Sequence, residues 1–77
     1  QLDEAEKAQA EAYDIGVKVY GPNHDEVGTT LVSLALIKKA KKDLEGATPT
    51  LENALDVFVK VYGPSHIKVG VTWSNLG

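Results

Sequence analysis

The sequence predicts an all-α fold, a solenoid of antiparallel helix pairs, and three observations carry that expectation. The first is an internal repeat. The string Lys-Val-Tyr-Gly-Pro-Asn-His at 18–24 returns as Lys-Val-Tyr-Gly-Pro-Ser-His at 60–66, an offset of 42 positions. The same register pairs Ala5 with Ala47, Ala12 with Ala54, Asp14 with Asp56, Val27 with Val69, Gly28 with Gly70 and Leu34 with Leu76. Similarity held in one register over so long a stretch marks a structural unit used at least twice. The second observation is a helical period, with no sustained alternation of period two. The third is Gly-Pro punctuation at Gly21-Pro22 and Gly63-Pro64. Glycine accepts the left-handed backbone that follows a helix, and proline cannot continue one.

These signals give four helical segments, roughly 2–20, 24–41, 43–62 and 66–77, with ends uncertain by a few residues. In the first, Leu2, Ala5, Ala12 and Val19 form the apolar face. In the second, Val27, Leu31, Leu34 and Ala35 fall at i, i+4, i+7 and i+8. Asn23 and Glu26 stand at capping-box spacing before it. The third has Leu44, Ala47, Leu51, Ala54, Phe58 and Val61 at steps of three and four, with Asp43 as its expected N-cap. Two residues oppose it. Pro49 removes a backbone donor and predicts a slight bend near Glu45. Gly46 costs about 1 kcal/mol relative to Ala. That helix therefore depends on its neighbours. Ser65 can cap the fourth segment, but Lys68 stands where Glu26 supplies the acid in the other copy. The expected organisation is 1–23 as the second helix of one repeat with its connector, 24–65 as a complete repeat with its connector, and 66–77 as the first helix of the next.

Composition agrees and excludes several classes of function. Of 77 residues, 43% are hydrophobic and 25% charged, enough apolar surface to offset ordering entropy. There is no cysteine, so no disulfide scaffold or thiolate metal site. A net charge of −3 argues against nucleic-acid binding through bulk charge. No apolar run approaches the roughly 20 residues that cross a bilayer, so membrane insertion is not expected.

The order of small and large residues resembles a tetratricopeptide repeat. Trp73-Ser74-Asn75-Leu76-Gly77 supplies the Trp-x-x-Leu-Gly opening of that motif, and Ala47, Leu51 and Ala54 fall where the family alternates small and large side chains. The longer period, the Tyr-Gly-Pro-x-His connector and Ala47-Thr48-Pro49 resemble the kinesin light chain type of the repeat. That resemblance implies a right-handed superhelix acting as a protein–protein interaction scaffold in the cytoplasm. A spacer within a cytoskeletal or ciliary assembly, or a sensor array attached to an effector domain outside this segment, are the alternatives. It also implies two groove asparagines on each first helix. The matching positions are Val32 and Ser33, then Ser74 and Asn75, and Asn75 alone agrees. Lys42 occupies the tight turn where the family prefers Gly.

The expected groove residues are Thr29, Val32, Ser33, Leu36, Lys39 and Asn75. Val32 and Leu36 make an apolar patch at i, i+4, outside the packing stripe, which favours an apolar or helical protein ligand. The expected partners are a protein or peptide, together with neighbouring repeats or partner chains covering both ends of the segment. His24 and His66 recur one repeat apart without a repeated acid, since Asp25 corresponds to Ile67. They read as connector residues that help start the next helix rather than metal ligands. Lys38, Lys39, Lys41 and Lys42 read as a solvated helix end complementing the helix dipole. Trp73 reads as core, Tyr20 and Tyr62 as packing where repeats meet, and Tyr13 as partly buried. No nucleophile stands in a catalytic context and no glycine-rich phosphate loop is present. No enzymatic activity and no cofactor are expected.

Overall fold

A computed structural model describes residues 2–76, with side chains described through residue 74. The described residues form four helices: α1 (Leu2–Tyr20), α2 (Asp25–Ala40), α3 (Leu44–Tyr62) and α4 (Ile67–Leu76). They contain no strand. Each helix packs on the next in chain order, α1 on α2, α2 on α3 and α3 on α4. The result is a slab of 34 × 31 × 16 Å.

The core lies between α2 and α3. Val27, Leu31, Leu34 and Ala35 are buried from one side, and Ala47, Leu51, Ala54, Val57 and Phe58 from the other. Complete burial of a Leu or Val side chain stabilises by about 1.5–3 kcal/mol. Gly28 shows why the small positions matter. A Cβ there would lie 2.6 Å from Phe58 Cε1, so the absence of a side chain lets the ring rest directly on the α2 backbone. From the far side, Tyr13 and Val17 of α1 pack against the cluster of Val27, Leu31, Ala54 and Val57.

The helix ends are set locally. Asp43 caps α3, its Oδ1 accepting from Gly46 N–H at 3.0 Å. The cap also explains Gly46, because a Cβ there would lie 2.5 Å from Asp43 Oδ2. The α2–α3 turn places Lys42 at φ 64, the one non-glycine residue with positive φ among those described. Around it Lys42 N–H donates to Lys39 O at 2.9 Å and Asp43 N–H to Lys38 O at 2.8 Å, the paired closure of a Schellman turn. Gly21 and Gly63 take positive φ after α1 and α3. Pro49 lies inside α3, which runs unbroken from Leu44 to Tyr62.

Three expectations are corrected. Histidines, not Asn23 and Ser65, cap the helices that follow the connectors. His24 Nδ1 accepts from Glu26 N–H, and His66 Nδ1 from Lys68 N–H, each at 3.1 Å. The connector turns one residue later than a capping box requires. The apolar face expected for α1 is not a buried face: Leu2 is 45% and Val19 67% exposed, and Ala12 is exposed. In α3 the counterparts Ala47 and Ala54 are buried, while Leu44 and Val61, expected on that apolar face, are 61% and 37% exposed because they lie at the helix ends. In α1 a different face meets α2, carrying Tyr13 and Val17. Trp73 is 60% exposed rather than in the core. It corresponds to Leu31, which lies between helices on both sides, whereas α4 packs chiefly on α3.

Candidate functional site

The second and fourth helices line one side of the slab, and a groove runs between them. Thr29, Val32 and Ser33 of α2 form one wall. Ile67, Lys68, Val71 and Thr72 of α4 form the other, and Phe58 of α3 forms the floor. The cavity volume is about 360 Å³. The walls are made by helical spacing. On α2, positions 29, 32 and 33 share a face. On α4, Ile67 and Val71 stand at i, i+4 and are 76% and 56% exposed. Thr72 is buried at the base, where its hydroxyl is satisfied by donating to Lys68 O at 2.8 Å.

Lys68 is the charged member of the lining, and it is neutralised from within. Its Nζ lies 2.8 Å from Asp25 Oδ1 and 3.5 Å from Tyr62 Oη. It also sits 5.3 Å from the centre of the Tyr62 ring and 5.8 Å from that of Phe58. The ammonium, and secondarily the Tyr62 hydroxyl, hold the Asp25 carboxyl below its ordinary range. Asp25 in turn raises the Lys68 ammonium and the Tyr62 phenol. A groove whose cation already has its own carboxylate offers apolar contact rather than a charge clamp.

Of the expected groove residues, Thr29, Val32 and Ser33 line the cavity. Leu36, 44% exposed, and Lys39, also exposed, lie on α2 beyond the cavity lining. The side chain of Asn75 lies outside the described residues. Val32 is only half-buried and packs against the core cluster, so the expectation that it stands outside the packing stripe is corrected. It is both wall and core because α2 is covered from two sides. Ile67, Val71 and Phe58 were not among the expected groove residues. The signal for the first two was available, since a shift of 42 carries Asp25 to Ile67 and Thr29 to Val71, turning a polar edge apolar.

The basic run is not wholly a solvated helix end. Lys38 Nζ meets Glu6 Oε2 at 2.9 Å, and Lys41 Nζ meets Glu6 Oε1 at 2.7 Å and Asp3 Oδ1 at 2.6 Å. Lys41 first and Lys38 second depress the Glu6 carboxyl to about 2. These pairs tie the C-terminal end of α2 to the first turns of α1, away from the groove. The histidines are occupied as caps, and their rings stack on Tyr20 and Tyr62 at centroid distances of 4.4 and 4.1 Å. Among the described residues, no three His, Cys, Asp or Glu side chains converge as a metal site. No described helix is long and apolar enough to cross a membrane.

No curated protein and no solved structure matches the chain closely enough to count as a relative. A sequence model of the tetratricopeptide repeat matches residues 1–26 and again 27–68, two copies that together cover most of the chain. Repeats of this kind generally mediate protein–protein interaction and are generally non-enzymatic. The repeated helix pairs, the connectors and that double match together place the chain in the tetratricopeptide repeat family.

Proposed function

We propose that this segment is a protein-interaction scaffold whose α2–α4 groove receives an apolar stretch of a partner protein, such as one face of a helix. The observation that carries this reading is the groove lining. It is aliphatic and aromatic apart from three hydroxyl-bearing residues and Lys68, which is already paired with Asp25. Apolar grooves of this kind take the i, i+3, i+4 anchors of an amphipathic helix. Leu36 extends the apolar surface along α2, and Lys39 and Asn75 are proposed as contacts at its margins. We also assign the repeats to the kinesin light chain type. The 42-residue offset, the Tyr-Gly-Pro-x-His connectors at 20–24 and 62–66 and the Ala-x-Pro at 47–49 support that assignment.

The test compares partner recovery by three forms of the protein. Leu36→Glu with Val71→Glu places charge on two exposed groove-side residues, and Glu52→Lys is a control on an exposed position of α3. The groove variant is expected to lose a partner that the wild type and the control retain, with helicity by circular dichroism unchanged. Retention of the partner by the groove variant at full helicity removes the groove from the reading. Val32 is not used, because its contact with the core would confuse binding with stability.

A further inference from the structure

The N-terminal end of the groove holds a cation site that the chain fills with its own lysine. Asp25, Thr29, Val32 and Leu36 follow one another along α2 at helical steps of four, three and four, so Asp25 continues the stripe that forms the groove wall. The Lys68 ammonium lies 2.8 Å from Asp25 Oδ1, 5.3 Å from the centre of the Tyr62 ring and 5.8 Å from that of Phe58. A carboxylate joined by two aromatic rings within about 6 Å attracts a cation through both charge and ring quadrupole. In the repeat register Ile67 stands for Asp25 and Gly16 for Phe58, so the acid and the aromatic floor lie outside the repeated framework. Lys68 is a weakly held occupant. Its side chain is 42% exposed and that of Asp25 33%, and an ion pair so open to water contributes little to stability.

We propose that Asp25, Tyr62 and Phe58 receive an arginine side chain of the partner protein, which displaces Lys68 into water. The position of the rest of the partner, its apolar stretch along 29–36 of α2, rests on the groove reading above; the arginine site itself does not. Arginine suits the corner better than the lysine it replaces. A guanidinium is planar, spans both oxygens of a carboxylate, stacks on aromatic faces and is more weakly hydrated than an ammonium. Lys68 then works as a gate. A partner without the arginine meets a closed corner and gains apolar contact alone. A partner that carries it at one end of its apolar stretch gains a charged anchor as well. Because the acid and the aromatic floor are not repeated, that anchor fixes the partner's register along the solenoid at this one interval.

Phe58 is the sole phenylalanine, so its ring resonances report on the corner directly. The first measurement titrates ethylguanidinium and follows the ring protons of Phe58 and Tyr62. In Lys68→Ala, which vacates the corner, the probe is expected to shift both rings saturably. Lys68→Ala combined with Asp25→Asn is expected to show no saturable shift, and ethylammonium to bind Lys68→Ala more weakly than ethylguanidinium does. Lys68→Met carries the same titration if Lys68→Ala loses helicity. No saturable shift in a helical Lys68 variant overturns the site, and ethylammonium binding as tightly overturns the choice of arginine. The second measurement takes the partner that the Leu36→Glu, Val71→Glu form loses. Lys68→Ala is expected to bind it several-fold more tightly than the wild type, and Asp25→Asn several-fold more weakly, although both variants break the same ion pair. Shifts of one sign in both would make the pair a structural tie and overturn the proposal. Retention of the partner by the groove variant strikes the groove reading alone, and the guanidinium titration still decides the site.

Discussion

Lys68 at the start of α4 and Asp25 at the start of α2 lie one repeat apart in the chain and 2.8 Å apart in space. The pair exists because the repeat is imperfect. A shift of 42 carries Asp25 to Ile67 and Glu26 to Lys68, so the acid and the base occur once each at neighbouring positions of successive repeats. The side chains are 33% and 42% exposed, so salt screens the pair in part. Asp25→Asn and Lys68→Met are each expected to lower the melting temperature, and the double variant to lower it by less than their sum. That shortfall is the coupling between the two residues. Additive losses would mean that the groove cation is not held by Asp25.

Equivalent glycines are expected to respond oppositely to one methyl group. Gly28→Ala drives a Cβ to 2.6 Å from Phe58 Cε1 and is expected to cost about 1–3 kcal/mol. Gly70→Ala meets nothing within 4 Å and is expected to gain up to about 1 kcal/mol from helix propensity. Chemical denaturation of the two variants checks the difference in sign.

At φ 64, Lys42 holds a backbone that side chains with a Cβ disfavour. Lys42→Gly is expected to stabilise by about 1 kcal/mol, read as a higher melting temperature with unchanged helicity. A lower melting temperature would show that the Lys42 side chain contributes more than the turn strain costs.

The acid response should centre on Glu6. Its carboxyl is lowered from 4.5 to about 2 by Lys41 and Lys38, so the folded state favours the ionised form. That contribution is fully present above about 4.5 and is lost as pH falls toward about 2. Glu6→Gln removes it at all pH. The melting temperatures of wild type and variant are expected to differ at neutral pH and to converge as pH falls through that window. A gap of constant size down to pH 2 would contradict the assignment.

The helices and the Asp43 cap are legible in the sequence because each depends on neighbours within a few positions, whereas the Lys42 turn is indicated only by the resemblance, at a position where the family prefers Gly. The histidine caps are not, because Asn23 and His24 are both adjacent to the helix start, and the path of the Gly-Pro connector decides which side chain turns inward. Trp73 and the α1 face are misjudged for another reason. Hydrophobic periodicity identifies a face suited to burial and carries no information on whether a helix is there to bury it. The groove is half-legible. Thr29, Val32 and Ser33 follow from helical spacing on α2, while Ile67, Val71 and the Phe58 floor depend on how α4 lies across α3. The Lys38 and Lys41 pairs are nonlocal too, joining residues more than thirty positions apart.

Both connectors have the same internal brace, a tyrosine ring lying nearly flat on a histidine ring two residues past the proline, with tilts of 16° and 17°. The shared brace constrains both turns of the chain in the same way. Tyr-Gly-Pro-x-His then acts as the joint, and the helices between such joints act as struts. Substituting the tyrosine ring is expected to loosen the joint while the histidine still caps the helix that follows.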